Sequence, residues 1–433
     1  MNRSLLAVLI GTFTLRFSTG LTGALLVYYL AELPLHGGVR VEAFVVGLFT
    51  ATFFLAELVL SPIFGPLADR WGYHRVMQLG PIFGAMAVIL TGLTTNLWLL
   101  GGTRMLEGAS TAASVPSILG YIAIATSRDE SMRGRAVARF EAATLAGLGA
   151  GLVFAGVLWT LIGPVAFFVN ALIYGGSFLI YRFGVTDPRS EHQLADAPPG
   201  YGLGRYRQLL RSSHVLLLAP TWIAINASLG LWTSQSIFQL VRHPEGGRFG
   251  DQLLMGGFNP IAISAGLAVG LLIFFVGLIY WGNRFKAYRL TTIIFYGIAG
   301  GAVVVAAALI VNHSAGLSPA IPLVFGAAAV AGLFVLAGAT PAALGLLADI
   351  SERFPHDRGA IMGLYSVFLA VGQITGSLIG GAAGEVAGFD GLLIATLALL
   401  GVALVPLFRL RRYELEVGFE GDDVSLVLAG PGR

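Results

Sequence analysis

Twelve long apolar runs divide this chain, and they constrain its fold more than any other feature. A helix needs about 20 predominantly apolar residues to cross a bilayer. Only 11% of the 433 residues are charged, against about 25% in a soluble domain. The runs predict an all-α integral membrane protein whose twelve transmembrane spans lie at 5–31, 43–65, 76–95, 98–126, 140–162, 164–184, 214–240, 258–282, 290–312, 319–349, 358–384 and 389–410.

The distribution of arginine predicts the orientation of these spans. If the N-terminus is cytoplasmic, almost all basic residues outside the spans fall on the cytoplasmic side. The opposite side keeps only Arg40, Arg242 and Arg248. Because positive residues are retained in the cytoplasm during insertion, we expect a multi-pass protein of the plasma (inner) membrane with both termini in the cytoplasm.

The two halves of the chain repeat a set of residues at one spacing. The separation of Pro116 from Pro341 recurs between Arg133 and Arg358. This repeat predicts two pseudo-symmetric six-helix halves, with four segments in all: the halves at 1–184 and 214–412, a cytoplasmic linker at 185–213, and an acidic tail at 413–433 that we expect to be disordered. Parallel repeats of this kind occur in secondary transporters that bind substrate near the membrane midplane between their halves.

Four charged residues lie well inside predicted spans, namely Arg16, Glu57, Arg104 and Glu107. Charges in lipid usually face a cavity or each other, and Arg104 stands one helical turn from Glu107. A buried carboxylate beside arginines can gain or lose a proton when its surroundings change. We predict that Glu107 or Glu57 carries a proton and that Arg104 and Arg16 adjust its affinity. The alternatives are a static ion network and, for Arg16, direct binding of an anionic substrate.

Polar and aromatic residues in the second half are candidates for a substrate cavity. Trp222, Asn226 and Gln239 fall on roughly one face of the seventh span, as do Tyr365 and Gln373 in the eleventh. Aromatic and amide groups suit a moderately hydrophobic solute, although each residue alone is more often a packing residue. Glycines in the fifth span, Gly147 and Gly151 among them, predict close helix approach.

Several classes of function are excluded by what the sequence lacks. The absence of cysteine excludes disulfides, zinc clusters and thiol catalysis. No pairing of nucleophile and base, phosphate loop or metal-ligand cluster occurs. The sequence therefore predicts neither an enzyme nor a protein with a metal, a cofactor or a nucleic-acid partner, and we expect a monomer.

Two motifs identify a family. The stretch GPLADRWGYHR, after the second span, resembles the loop signature G-x-L-A-D-R-x-G-x-[RK]-[RK] of the major facilitator superfamily. The matching positions are Gly65, Leu67, Ala68, Asp69, Arg70 and Gly72, with Arg75 as a late basic residue and Tyr73 and His74 departing from the pattern. The stretch TRMLEGAS resembles the superfamily's fourth-helix signature R-x-x-Q-G, with Glu107 in place of glutamine. That signature is associated with proton coupling in drug-efflux branches, but the glycine-proline pair usual in their fifth helix is missing here.

The resemblance implies the major facilitator fold and transport of a small molecule by alternating access. It implies that Asp69 faces the start of the eleventh span at Gly359 and latches the two halves on the cytoplasmic side. Arg70 and Arg75 would pair with acidic residues near the next cytoplasmic loop (Asp129, Glu130 or Glu141), or simply hold the topology. Proton-coupled efflux is the leading function. Proton-coupled uptake uses the same carboxylate, and a receptor or assembly factor on the same fold is the alternative of another class.

Overall fold

The computed structural model describes residues 3–126, 130–186, 215–242, 247–284, 287–352 and 358–428. These residues are almost entirely helical, and no strand occurs among them. The helices are α1 (Arg3–Ala31), α2 (Ala43–Trp71), α3 (Tyr73–Met77), α4 (Leu79–Gly92), α5 (Leu97–Ala125), α6 (Glu130–Ile162), α7 (Ala166–Gly184), α8 (Val215–Val241), α9 (Pro260–Gly282), α10 (Leu290–Asn312), α11 (Ala320–Leu336), α12 (Ala339–Glu352) and α13 (Arg358–Leu428). Short 3₁₀ turns at Leu33–His36 and Gly163–Val165 precede α2 and α7.

Each of the twelve predicted spans coincides with helix. Nine helical segments of the described chain are long and apolar enough to cross a membrane. The segment that runs from Ser366 to Arg412 is interrupted at Ala387 and Gly388. Gly388 has a φ of 61°, a conformation that glycine adopts without strain. The eleventh and twelfth predicted spans therefore meet at this glycine.

Two predicted spans are each divided into two helices, and a proline follows each break. The third span is divided between α3 and α4, and the tenth between α11 and α12. Proline lacks the N–H that bonds to the carbonyl four residues earlier. Pro81 therefore cannot donate to the carbonyl of Met77 at the end of α3, and Pro341 cannot donate to that of Ala337 just after α11.

The last helix is longer than the apolar pattern predicts. It continues to Leu428, into the segment after Arg412 for which the sequence predicts disorder. No proline occurs between Pro406 and Pro431 to end the helix earlier, and disorder of the segment 413–433 remains a prediction.

The described helices form two compact units. The first unit comprises Met1–Gly200, Gly230–Leu271 and Gln373–Leu392, and the second comprises Tyr201–Leu229, Leu272–Gly372 and Leu393–Arg433. The first unit contains all of α1 to α7 together with the later part of α8, the first half of α9 and the middle of α13. This division differs from the predicted halves, 1–184 and 214–412, which remain a prediction.

Glycines bring helices of each unit into close contact. A Cβ on Gly147 of α6 would lie 2.6 Å from the carbonyl oxygen of Phe13 in α1, and Gly151 packs against the carbonyl of Phe17. The close approach predicted for these two glycines is thereby confirmed. In the second unit, a Cβ on Gly300 of α10 would lie 2.7 Å from the carbonyl oxygen of Gly332 in α11. Backbone contact of this kind fixes the position of α1, which carries part of the candidate site.

Candidate functional site

A buried ion pair on α5 is the centre of the candidate site. Arg104 is 7% exposed and Glu107 is 2% exposed. One guanidinium nitrogen of Arg104 contacts Oε2 of Glu107, across one helical turn. The guanidinium also lies 4.9 Å from the centre of the Phe53 ring, on α2. A carboxylate this deep is stabilised only by partners such as these.

The second oxygen of Glu107 has no comparable partner. Oε1 is buried and accepts no hydrogen bond from any residue in the described part of the chain. The hydroxyls of Thr22 on α1 and Tyr174 on α7 lie next to the carboxylate without completing a bond to this oxygen. Glu107 thus has one oxygen paired with a cation and the other next to neutral hydroxyl groups.

Polar side chains of α1 and α7 surround this free oxygen. Asn170 donates hydrogen bonds to the hydroxyl of Thr22 at 2.8 Å and to the carbonyl of Ser18 at 3.0 Å. The Tyr174 hydroxyl lies 3.4 Å from that of Thr19. The sequence prediction missed these residues. The sequence pattern that could have identified them is a four-residue spacing, which places two residues on one helix face. Ser18 and Thr22 have this spacing, and so do Asn170 and Tyr174.

Arg16 and Glu57 form a separate part of the site. Arg16 is 9% exposed, and its guanidinium donates to the hydroxyl of Thr111 at 3.5 Å. It interacts electrostatically with Glu57 on α2 and with Glu141 on α6, although it forms no direct ion pair with either of these two described residues. The four charges predicted as one cluster are therefore divided into a contact pair on α5 and a looser group around Arg16.

The loop signature begins inside a helix. Gly65 to Trp71 form the last turns of α2, so the helix continues beyond the predicted end of the second span at residue 65 and ends before Gly72, where φ is 97°. A φ in this range is accessible to glycine and unfavourable for other residues.

Asp69 accepts a hydrogen bond of 2.6 Å from the hydroxyl of Tyr73. Arg70 and Arg75 are exposed and form no ion pair with the described residues. Asp129 and the side chain of Glu130, two of their predicted partners, lie outside those residues. The predicted contact between Asp69 and Gly359 remains a prediction.

The predicted cavity residues are buried in their own units. In the second unit, Trp222 is 2% exposed and Asn226 donates to the Trp222 carbonyl at 2.9 Å. In the first unit, Gln239 donates to the side chain of Gln235 at 3.3 Å, and Oε1 of Gln373 accepts from a threonine hydroxyl at 3.3 Å. The side chain of Tyr365 is outside the described part of the structure.

A polar cluster that the sequence prediction missed joins the start of α2 to the ends of later helices in the first unit. We call it the Arg242 cluster, and it consists of Glu42, Gln235, Arg242 and Glu385. Arg242 lies 3.5 Å from Glu42 and donates to the carbonyl of Gly384 at 3.0 Å. Burial lowers the pKa of the Arg242 guanidinium, and Glu42 opposes that shift. An arginine nevertheless stays charged at any physiological pH.

The other two members of the Arg242 cluster bind backbone at the start of α2. Glu385 accepts from the N–H of Phe44 at 3.1 Å, and Gln235 donates to the carbonyl of Ala43 at 2.9 Å. The sequence could have indicated this cluster, because Glu42, Arg242 and Glu385 all lie at span ends on the same predicted side of the membrane.

The described residues contain no group of three or more histidine, aspartate and glutamate side chains suited to a metal ion. The chemistry of the site therefore depends on buried charges and hydroxyl groups carried by membrane-length helices. Such an arrangement is typical of membrane proteins that move ions or solutes.

The comparison with protein families agrees with this class of protein. The sequence model of the Major Facilitator Superfamily matches residues 8–317. The chain belongs to this superfamily of membrane transporters.

Curated relatives are similar to parts of the chain. Multidrug resistance protein 2 of Bacillus subtilis (strain 168) is 25% identical over 52% of this chain and 54% of its own length. Quinolone resistance protein NorA of Staphylococcus aureus is 28% identical over 28% of this chain and 30% of its own. Probable sphingolipid transporter spinster homolog 1 of Arabidopsis thaliana is 27% identical over 37% of this chain and 32% of its own. The chain thus spans about half the length of the first relative and about a third of the other two.

A solved structure confirms the predicted fold. The crystal structure of the nucleoside transporter NupG covers 94% of this chain and 98% of its own, with a TM-score of 0.70 and 14% sequence identity. At this identity the similarity shows the major facilitator fold alone.

Proposed function

We propose that the protein exports a moderately hydrophobic, cationic small molecule across the plasma membrane in exchange for protons. The observation that carries this proposal is the Arg104–Glu107 pair with its unpartnered carboxylate oxygen. A fully buried charge with an incomplete set of partners is unfavourable as static structure. It is useful when the charge is neutralised during the transport cycle.

Glu107 is the proton carrier in this proposal, and Arg104 is the group that holds it ionised. When a proton binds at the free oxygen, the ion pair with Arg104 weakens. The neutral acid can then donate to a neighbouring hydroxyl, for which Thr22 and Tyr174 stand next to it. Because those hydroxyls belong to α1 and α7, a change at one carboxylate reaches two further helices.

The electrostatics of the Arg16 group favour a cationic solute over an anionic one. Arg16 is the cation that interacts electrostatically with both Glu57 and Glu141. Two carboxylates against one guanidinium leave this region with a negative balance when both are ionised. An anionic substrate at Arg16 would compete with both acids, whereas a cation would complement them.

The Arg242 cluster supports transport by alternating access. It holds the start of α2 against residues of α8 and α13 at one end of the first unit. By the arginine distribution, with both termini in the cytoplasm, this end is extracellular. We interpret the structure as a state closed on that side. We propose that the Asp69 signature, with Gly65, Gly72 and Gly359, performs the corresponding closure on the cytoplasmic side of a monomer.

Export is favoured over uptake by the relatives, which include proteins named for multidrug and quinolone resistance. Uptake by proton symport is the second candidate, because the same carboxylate serves either direction. The alternative of another class, a receptor, would not need to neutralise a buried carboxylate, so it gives no reason for the Arg104–Glu107 pair.

Transport by purified protein in liposomes tests the proposal. The probe is radiolabelled tetraphenylphosphonium, a permanent cation that a pH difference alone does not trap, with valinomycin and equal potassium concentrations to remove the membrane potential. With an acidic lumen, antiport accumulates the probe inside. We expect this for the wild type and no pH-driven accumulation for Glu107→Gln. The matched control is Glu57→Gln, in which we expect at least partial accumulation.

Two results would contradict the proposal. Accumulation only with an alkaline lumen would indicate symport. Unchanged pH-driven transport in Glu107→Gln would exclude that carboxylate as the proton carrier.

A further inference from the structure

A groove on the outer surface of the first unit lies between the start of α1 and the end of α7. It has a volume of about 530 Å³ and is shallow and open on one side. Leu6 and Ile10 line one wall, and Leu179 and Phe183 line the other. All four side chains are between 45% and 79% exposed, so the groove is apolar and open to the lipid that surrounds a membrane-spanning helix.

Close packing holds the two helices that form the groove. A Cβ on Gly184 would lie 2.7 Å from Cβ of Ala7, and the Tyr181 ring packs directly against Gly11. At the end of the groove the hydroxyls of Ser4 and Thr186 lie 3.1 Å apart. The groove is therefore built by backbone contact, and it does not depend on the rotamer of one side chain.

Two arginines stand at the same end of this groove. Arg3 contributes to its lining, and the guanidinium of Arg182 lies 5.9 Å from the centre of the Phe183 ring. Both are exposed, and neither pairs with an acidic side chain in the described part of the chain. The rule that positive residues stay in the cytoplasm accounts for their side of the membrane. It does not account for the position of Arg3 in the lining of an apolar groove, with Arg182 stacked on a second lining residue, Phe183.

We propose that this groove binds an anionic phospholipid of the cytoplasmic leaflet. An acyl chain lies along Leu6, Ile10 and Phe183, and the phosphate group lies between Arg3 and Arg182. Basic pockets between transmembrane helices are recognised sites for anionic headgroups. A soluble anion would gain nothing from the apolar walls, and a zwitterionic lipid would gain less from two guanidinium groups. This site is independent of the proposed transport reaction.

The test compares two lipids with the same acyl chains. Purified protein in a neutral detergent is titrated with phosphatidylglycerol or phosphatidylcholine, and the bound lipid is counted by native mass spectrometry. We expect the wild type to prefer phosphatidylglycerol, and the double variant Arg3→Gln/Arg182→Gln to bind it about tenfold more weakly. A second variant, Leu179→Trp, fills the groove without changing charge and should weaken the binding of both lipids.

Arg284→Gln is the matched control, because its guanidinium lies 4.9 Å from the Tyr280 ring and neither residue lines the groove. Its phosphatidylglycerol affinity should equal that of the wild type. Equal affinity of the wild type for both lipids would overturn the proposal. So would an equal loss of affinity in Arg284→Gln, or full binding in Leu179→Trp.

Discussion

The two units of the molecule differ in the polar groups that they bury. The first unit buries Arg16, Arg104 and Glu107 at less than a tenth exposed. The buried polar side chains described for the second unit are all neutral, and Thr221, Asn226 and Asn312 are examples. Buried charges are expensive in a membrane protein and neutral amides and hydroxyls much less so. The comparison supports the proposal that protons act on the first unit, and it shows that the buried polar surface described for the second unit is neutral.

Among the tests of this difference between the units, the largest loss of stability is expected for a substitution of Arg104. Arg104→Gln leaves the carboxylate of Glu107 buried without its cation, and removing one partner of a buried ion pair is destabilising by about 3–5 kcal/mol. We expect a clear loss of thermal stability in detergent. The double variant Arg104→Gln/Glu107→Gln removes both charges and should recover most of that loss, because no unpaired charge remains.

Stability and transport measurements on the single and double variants together show whether Arg104 and Glu107 only stabilise the fold or also couple transport to pH. If Glu107→Gln, which leaves Arg104 without its acid, still folds in detergent but does not couple transport to pH, the carboxylate serves the reaction. If the single and double variants are equally unstable, the contact between Arg104 and Glu107 contributes little, and the contrast between the units loses its main support.

A smaller effect is expected for a substitution in the Arg242 cluster. This variant tests whether the first unit also keeps the predicted extracellular end closed. Arg242→Gln removes an ion pair and a charged hydrogen bond, and a charged hydrogen bond contributes about 1.5–3 kcal/mol. The chain has no cysteine, so Ser377→Cys, at a fully buried position packed against Gly47, is a unique reporter. We expect a membrane-impermeant maleimide to label it about tenfold faster when Arg242→Gln is added.

The matched control for this experiment is Arg248→Gln, an arginine on the same predicted side that stacks on Phe249 outside the cluster. Equal acceleration by both variants would indicate a general loosening of the loops. No acceleration by Arg242→Gln would show that backbone packing around Gly47 and Gly381 keeps this end closed without the ion pair.

The fold was more accessible to sequence reasoning than the site. Runs of apolar residues are long enough to identify every span, because the bilayer imposes one length on each helix. The breaks near Met77 and Ala337 were not predicted, because proline alone does not identify them: Pro66 and Pro116 lie inside helices that are not divided.

The site required knowledge of which helices are neighbours. The contact of Arg104 with Glu107 lies within one turn and follows from spacing. The position of Tyr174 beside Glu107, or of Glu42 beside Arg242, joins residues far apart in the chain, and no single-helix pattern contains that information.

The smallest expected effect concerns the neutral surface of the second unit. Asn226 donates to the carbonyl of Trp222 on its own helix, so Asn226→Ala removes one local hydrogen bond, with a net effect of about 0.5–1.5 kcal/mol. If this unit selects the solute, the apparent affinity for tetraphenylphosphonium should change a few-fold in liposomes, while the ratio of transport with and without a pH gradient stays at the wild-type value.

A change in that ratio would mean that coupling extends into the second unit, and the division of roles between the units would then be wrong. Ser228→Ala is the control, because its hydroxyl also bonds only within the helix, to the carbonyl of Ala224, and its loss should leave both quantities unchanged.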